Sequence, residues 1–313
     1  MAELRTANLS AAMAANPSAI PLDSSKTEAC DAAATEQRLP TFFVVGPPRT
    51  GSSWIYEVLG SHALLPGPAK ETRFFDTHFE RGLKWYRAHY ADVQSAKPMG
   101  EVAPTYFVSS MARERMAEIV PGAKIVCVFR NPVERLISLY RLKSAYGLIR
   151  GSFEHALQHD PELAESSAYS RHLMLWRSRF GEDQVLSLIY DDLCRNPQAF
   201  TDALVDFVGI PRFTLSPAQL NWVHASEEMT HPRNYRRTRG AMFLADWCKA
   251  RRLDRVVAAV KQSPLKRLVL GGGPGFAKVS SSTSRRLYEE LRPEVDALEN
   301  MLGRDLSAWK SAA

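Results

Sequence analysis

The chain has 313 residues, of which 45% are apolar and 24% charged, and its 40 Lys and Arg residues outnumber 34 Asp and Glu residues. This composition indicates a globular protein, and no run of about 18 apolar residues occurs, so a transmembrane helix is not expected. Four cysteines, Cys30, Cys127, Cys194 and Cys248, form no CxxC pair. A zinc site or a secreted disulfide framework is therefore not expected, and we expect a reducing compartment, the cytoplasm.

Composition and charge separate the start of the chain from the rest. Residues 1–39 are rich in Ala, Ser and Thr and lack apolar periodicity, so we expect a disordered tail. Residues 1–40 carry three basic and five acidic side chains, a net charge of −2. The whole chain has a net charge of +6, so the other 273 residues together carry +8. Residues 40–313 are predicted to form one domain, and its positive charge favours an anionic ligand.

Three apolar segments rich in β-forming residues are each followed by a helical pattern. The predicted pairs of strand and helix are 41–45 with 52–59, 123–129 with 133–140, and 184–190 with 200–208. Strands that alternate with helices indicate an α/β protein with a central parallel sheet and helices on both faces, a P-loop-like three-layer fold. A leucine repeat predicts a closing amphipathic helix, or a pair of helices, over 281–302.

The first predicted strand runs into the turn GPPRTGSSW at 46–54. A glycine-containing turn that opens a helix directs backbone N–H groups at one point, where the helix dipole also favours negative charge. The spacing of Gly46 and Gly51 matches the start of the Walker pattern GxxxxGK[ST], but Ser52 occupies the lysine position and Arg49 is the cation of the loop. The turn therefore predicts a phosphate site that differs from an ATP or GTP site.

A second anion-binding segment follows the second predicted strand. Arg130 comes directly after that strand, and Asn131 and Pro132 are a strong start signal for the next helix. Ligands of doubly wound sheets bind beyond the carboxyl ends of the strands, so Arg130 is placed to hold a phosphate. Ser138 lies about two helical turns further on, on a face that can turn back toward the strand end.

Together these segments resemble the PAPS-dependent sulfotransferases, with the bacterial and heparan-type members as the nearest pattern; PAPS is 3′-phosphoadenosine 5′-phosphosulfate. Residues 48–54 resemble the 5′-phosphosulfate loop, 130–138 the 3′-phosphate signature, 185–193 the strand that ends beside the adenine, and 287–309 the C-terminal helix. The resemblance implies PAPS as donor, PAP (adenosine 3′,5′-bisphosphate) as product and no metal. The implied donor-binding residues are Pro48, Arg49, Thr50, Gly51, Ser52, Ser53, Trp54, Arg130, Ser138 and Tyr190, with Trp54 and Tyr190 beside the base.

The resemblance also implies the catalytic residues. The segment KETRFFD at 70–76 is similar to the KExxFFD motif of heparan-type members. By this match Glu71 is the general base that accepts the acceptor's proton, and Lys70 holds the sulfuryl oxygens. Most family members have a lysine where Arg49 stands; an arginine keeps its proton, so Arg49 is expected to stabilise the leaving phosphate by charge alone.

Several points stay open at this level. Cytosolic members use a histidine as base, which keeps His62, His89, His224 and His231 as alternatives. Either 235–240 or the glycine-rich 271–278 is expected to complete the donor site, and the basic amphipathic stretch 241–270 is expected either to cover the acceptor mouth or to meet a membrane surface.

The expected reaction is in-line transfer of a sulfuryl group to a hydroxyl or amine of a small-molecule, lipid or carbohydrate acceptor. Nucleic acid is not an expected partner, because basic and aromatic residues do not interleave on the strands. Stable insertion into a membrane is not expected either. The alternatives are a P-loop nucleotide-dependent kinase and a non-catalytic anion-binding protein.

Overall fold

The computed structural model describes residues 38–311, except for residue 68, residues 91–94 and 224–228, and residues 252, 254, 255, 258, 261, 262 and 264–271. All but the last two residues of the predicted tail lie outside the described residues. So do His224 and several residues of the predicted amphipathic stretch. The elements and contacts of the fold are those of the described residues.

A central sheet of four parallel strands, in the order β2-β1-β3-β4, organises the protein, and two further strands, β5 and β6, pair antiparallel in a separate small sheet. The predicted parallel sheet flanked by helices is confirmed. The three predicted strands are β1, β3 and β4, whereas β2, only three residues long, was not predicted. The strands are β1 Phe42–Gly46, β2 Gly100–Val102, β3 Lys124–Phe129, β4 Val185–Ile189, β5 Thr230–Pro232 and β6 Gly272–Gly275.

The side chains on the two faces of β1 belong to two separate hydrophobic clusters. Phe43 packs on one side with the aromatic pair Phe74 and Phe75, while Phe42 packs on the other side with Trp54. All five residues of β1 are buried. Successive residues of a strand point to opposite faces, so a strand that is apolar throughout must be covered on both sides. This burial explains why helices lie on both faces of the sheet.

The helices follow the strands as the sequence predicts, and the start of the helix after β3 is capped by Asn131. Asn131 accepts hydrogen bonds from the backbone N–H groups of Val133 and Glu134, at 3.0 and 3.3 Å. The C-terminal leucine repeat forms one continuous helix. The α-helices are α1 Ser52–Leu59, α2 Gly82–Arg87, α3 Ser110–Ile119, α4 Pro132–Ala145, α5 Phe153–His159, α6 Pro161–Glu165, α7 Tyr169–Phe180, α8 Tyr190–Arg195, α9 Pro197–Val208, α10 Pro217–Val223, α11 Tyr235–Ala250 and α12 Ser281–Leu302.

The sheet brings three predicted donor-binding segments to one edge. β1 ends at Gly46, β3 at Phe129 and β4 at Ile189, and these strands are neighbours that run in the same direction. The loop after β1, the start of α4 and the start of α8 therefore leave the sheet side by side. In parallel sheets this carboxyl edge is where ligands bind.

Two further observations concern the described part of the chain. No helix in it has both the length and the apolar character that a membrane span requires. Cys127, Cys194 and Cys248 are free thiols, and Cys30 lies outside the described residues.

Candidate active site

The loop between β1 and α1 has a backbone that only certain residues adopt easily. Gly51 has a φ of 88°, and a Cβ atom built on it would lie 2.9 Å from Leu193 and 3.3 Å from the ring of Tyr190. Arg49 also has a positive φ, 73°, which is uncommon for a residue with a Cβ atom. Thr50 is buried, and its hydroxyl donates to the carbonyl oxygen of Pro47 at 2.8 Å. The Thr50 hydroxyl thus closes the loop, and Gly51 packs tightly against α8, the helix that follows β4.

The cation of this loop reaches the helix that follows β3. The Nε atom of Arg49 donates a hydrogen bond to the Oγ of Ser138 at 2.9 Å. Ser138 lies in the second turn of α4, and the face that carries it turns back toward the loop, as the sequence predicts. The loop predicted to bind phosphosulfate and the segment predicted to bind the 3′-phosphate therefore lie in contact.

Arg130 lies on the same side of the molecule. Its guanidinium carbon is 4.8 Å from the ring centroid of Tyr190, and it forms an ion pair with Glu134 at 2.9 Å. Burial raises the pKa of Tyr190, and the charges of Arg130 and Arg49 both oppose that rise. Tyr190 thus lies within electrostatic reach of both arginines, so the three predicted donor-binding side chains occupy one region.

A buried arginine, Arg135, fixes the backbone of Arg130 through the hydroxyl of Tyr169. The Tyr169 hydroxyl donates to the Arg130 carbonyl oxygen at 3.0 Å. The Nε of Arg135 donates to that same hydroxyl at 2.8 Å, and its Nη2 donates to Ser167 at 2.6 Å. Arg135 is fully buried. This chain of hydrogen bonds fixes the strand end from which the Arg130 side chain projects.

The predicted catalytic pair lies next to the loop. The Lys70 ammonium group is 3.0 Å from the Glu71 carboxylate and donates to the Ser52 hydroxyl at 3.2 Å. Both side chains are partly exposed, Lys70 by 22% and Glu71 by 28%, so a carboxylate and an ammonium group face solvent at the loop. Ser52 occupies the position where the Walker pattern has its lysine, and here a lysine reaches it from another segment.

A buried acid supports this pair, and the sequence analysis missed it. Glu101, in β2, is fully buried and accepts hydrogen bonds from the backbone N–H and the hydroxyl of Thr72, at 2.8 and 2.7 Å, and from Tyr86 at 2.8 Å. Burial raises its pKa to about 7, against the effect of these hydrogen bonds. Glu101 thereby anchors the residue that follows Glu71. A single acid inside the apolar stretch 99–103 was the signal in the sequence.

The remaining residues of the predicted loop differ in accessibility. Ser53 is exposed and Pro48 is partly exposed. The Trp54 ring is only 5% exposed, lies edge-on to Phe200, and donates through Nε1 to the carbonyl oxygen of Gln219 in α10. As it stands, the ring of Trp54 offers almost no surface to a base, and stacking with adenine would require α10 to move.

The alternative histidine bases are engaged elsewhere. His89 is buried, and its Nδ1 lies 3.0 and 3.2 Å from the carbonyl oxygens of Trp85 and Tyr86. The ring of His62 stacks on Phe213 with the ring centroids 3.5 Å apart, and its pKa is lowered by burial and by the nearby charge of Lys97. These contacts give His62 and His89 structural roles in packing.

One candidate C-terminal segment contacts the residues just after α4, at Gly147 and Arg150, and the other contacts α4 itself. Residues 235–240 begin α11, where the guanidinium of Arg150 lies 5.0 Å from the ring of Tyr235, so they form a helical turn where a loop was predicted. In the glycine-rich segment, residues 272–275 form β6, and Phe276 packs against Tyr140 of α4 at 5.8 Å. His231, another alternative base, lies 2.8 Å from the Tyr235 hydroxyl.

The arrangement combines cations that can bind phosphates with a carboxylate that can accept a proton. Arg49 and Arg130 can neutralise two phosphates, and Glu71 can accept a proton. Among the described residues no three His, Cys, Asp or Glu side chains are grouped so as to hold a metal ion. The guanidinium groups of Arg49 and Arg130 and the ammonium group of Lys70 can stabilise negative charge at this site.

Known protein families and sequences match this chain over most of the described region. The model of the sulfotransferase domain family matches residues 39–238. The human protein named bifunctional heparan sulfate N-deacetylase/N-sulfotransferase 2 is 30% identical over 212 residues, which are 60% of this chain and 23% of that protein. Human heparan sulfate glucosamine 3-O-sulfotransferase 6 is 31% identical over 185 residues, 56% of this chain and 54% of that protein. The chain thus spans about a quarter to half of the length of these curated relatives.

A solved structure is similar in fold. The crystal structure of a sulfotransferase from Alicyclobacillus acidocaldarius superposes with a TM-score of 0.63 and 19% sequence identity. The match covers 88% of this chain and 100% of that one.

Proposed function

Because the chain belongs to the sulfotransferase domain family, we propose that it transfers a sulfuryl group from PAPS to a hydroxyl or amine of an acceptor. The observation that carries this proposal is the hydrogen bond between Arg49 and Ser138, at 2.9 Å. It supports one binding site for both ends of a doubly phosphorylated adenosine. Arg49 and the backbone of the loop would hold the 5′-phosphosulfate, and Arg130 with Ser138 the 3′-phosphate.

Catalysis in this proposal is proton transfer combined with charge stabilisation. The acceptor oxygen or nitrogen forms a bond to sulfur while the bond from sulfur to the bridging phosphate oxygen breaks, and PAP leaves. Glu71 accepts the acceptor's proton, a role that contributes about 10²- to 10⁴-fold when the base is well positioned. Lys70 lies between Glu71 and the loop, where it would hold the sulfuryl oxygens. Arg49 would neutralise the charge that grows on the leaving phosphate.

The acceptor class that we propose is a small molecule, a lipid or a carbohydrate. A carbohydrate hydroxyl or amine is favoured by the likeness of residues 70–76 to the heparan-type motif and by the names of the relatives that act on heparan sulfate. For the place of action we propose the cytoplasm, which the free thiols support. Fractionation of cells that produce the full chain tests the location.

The test of the reaction is incubation of the full chain with ³⁵S-labelled PAPS and fractionated cell metabolites, followed by mass spectrometry. The proposal predicts a product heavier by one SO₃ group, together with stoichiometric PAP. Its matched control is Glu71→Gln, which keeps the donor site intact. Binding of PAP without transfer to any acceptor in the extract would instead support the non-catalytic anion-binding alternative. Hydrolysis of ATP by the chain would support the kinase alternative.

A further inference from the structure

The helix α11 presents an apolar stripe to solvent. Phe243, Leu244 and Trp247 are exposed by 74%, 59% and 42%. Residues three and four positions apart lie on the same face of a helix, so positions 243 and 247 lie on one stripe, with 244 beside it. Six of the ten large hydrophobic residues exposed in the described part of the chain fall within residues 243–260. This concentration distinguishes the region from the ordinary scatter of exposed apolar side chains.

The opposite face of the same helix holds it to the protein. Thr238 is fully buried, and the ring of Tyr235 lies under the guanidinium of Arg150 at 5.0 Å. Ala241 and Ala245, on the side of Thr238, are partly buried. The inward face of α11 is therefore occupied, and the apolar stripe points away from the body of the protein.

Positive charge is concentrated on the same segment. Residues 233–251 contain five arginines, one lysine and one aspartate, a net charge of +5. The whole chain carries +6, so the other 294 residues together carry only +1. Arg236 continues the stripe of Phe243 by helical spacing, and Arg237 and Arg239 are exposed beside it.

Arg251, which follows α11, contacts the apolar stripe directly. The guanidinium carbon of Arg251 lies 3.8 Å from the ring centroid of Trp247. A guanidinium group on the face of an indole ring is a cation–π contact. Such a pair suits a membrane boundary, where the charged group stays at the polar surface and the ring enters the less polar layer.

We infer that the outward face of α11, together with Arg251 on Trp247, forms a docking surface for an anionic membrane. Lipid headgroups supply negative charge opposite the exposed Arg236, Arg237, Arg239 and Arg251, and the acyl boundary accepts Phe243, Leu244 and Trp247. A second copy of the chain fits less well, because a symmetric contact would set two segments of charge +5 against each other. A nucleic acid would satisfy the arginines and leave the apolar side chains in water.

The experiment is co-sedimentation of the full chain with vesicles of phosphatidylcholine alone and with vesicles that also contain phosphatidylglycerol. The inference predicts binding to the anionic vesicles, which weakens as salt is raised, and little binding to the neutral ones. The double variant Phe243→Ser with Trp247→Ser is expected to bind anionic vesicles at least about tenfold more weakly. The triple variant Arg236→Gln, Arg237→Gln and Arg239→Gln is expected to lose roughly a hundredfold.

Controls separate membrane docking from damage to the fold. Met111→Ser with Met174→Ser removes two other exposed apolar side chains, each 55% exposed, and should bind vesicles like the wild type. The Phe243 and Trp247 variant should keep its melting temperature and its affinity for PAP, so that a failure here is distinct from a failure of the proposed function. Equal binding to both vesicle types overturns the inference, as does full binding by the apolar variant. A wild-type dimer that this variant dissociates also overturns it, because the stripe would then join two copies.

Discussion

The Nε atom of Arg49 donates a hydrogen bond to the Oγ of Ser138 at 2.9 Å, across 89 positions of the chain. This contact joins the loop after β1 to the helix after β3, two segments that meet because their strands are neighbours in the parallel sheet. It places a fixed positive charge between the sites proposed for the two phosphate-bearing ends of the donor.

The first prediction concerns this pair. Arg49→Ala is expected to lower the turnover number about 10²- to 10³-fold, because a charged donor aimed at the leaving phosphate is lost. Ser138→Ala is expected to weaken PAP about tenfold or more, the effect of one hydrogen bond to a charged group. The two side chains touch, so their effects are coupled. In the double variant, the loss of turnover number and the loss of PAP affinity should each be smaller than the product of the losses in the two single variants.

Steady-state kinetics and calorimetric titration of PAP check these values. Ser178→Ala is the matched control, because the hydroxyl of this exposed helical serine donates to the Leu175 carbonyl of its own helix, and it should behave as wild type. Strictly multiplicative losses in the double variant would show that Arg49 and Ser138 act at separate places.

The second prediction concerns the base. Glu71→Gln keeps the shape of the side chain and an oxygen for Lys70 to contact, but removes the proton acceptor. The turnover number is expected to fall about 10²- to 10⁴-fold while the affinity for PAP stays unchanged. Single-turnover assays with labelled PAPS measure the first quantity and calorimetry the second. Glu57→Gln, at an exposed position of α1, is the control, and a normal rate for Glu71→Gln would remove this residue from the mechanism.

The third prediction concerns the buried acid. Burial raises the pKa of Glu101 from 4.5 to about 7. Between these pH values the folded protein keeps a proton that the unfolded chain has released, so the free energy of unfolding falls as the pH rises through this window. The difference between the two pKa values of Glu101 corresponds to about 3 kcal/mol of unfolding free energy. This stabilisation is fully present below pH about 4.5 and is lost above about 7.

Urea unfolding of the wild type and of Glu101→Gln at a series of pH values measures this effect. The variant is expected to lack the decline between pH about 4.5 and 7, so the two stability curves should converge or cross as the pH rises. Glu57→Gln should keep the decline of the wild type. Parallel curves for the wild type and Glu101→Gln would contradict the assignment of the raised pKa to this carboxyl group.

Local patterns in the sequence predict much of the fold. The strands β1, β3 and β4 are predominantly apolar, and the start of α4 has its signal in Asn131 and Pro132. These patterns need no knowledge of tertiary contacts. The edge position of Arg130 and the turn of Ser138 toward the loop then follow from the order of a doubly wound sheet. The geometry brings Arg49, Ser138 and Arg130 together as this reasoning predicts.

Features that depend on distant contacts were not predictable in the same way. β2 contains Gly100 and Glu101 in three residues and has no pattern of its own; it forms by pairing with β1 and with Leu64. The contact of Lys70 with Ser52 joins separate segments, and Trp54 is covered by α10, far along the chain. A pattern in one segment carries no information on which side chain from another segment will fill the space beside it.

The most direct test of the central claim is calorimetric titration of PAP and of adenosine 5′-monophosphate into the wild type and into Arg130→Ala. The account predicts one site per chain, a preference of the wild type for PAP of about tenfold or more, and near loss of that preference in Arg130→Ala, because only PAP has a 3′-phosphate for Arg130 to bind. Glu134→Gln, which removes the ion-pair partner of Arg130, should keep or strengthen the preference. If Arg130→Ala retains the full preference for PAP over the monophosphate, the two arginines do not bind one nucleotide and the proposed donor site is wrong.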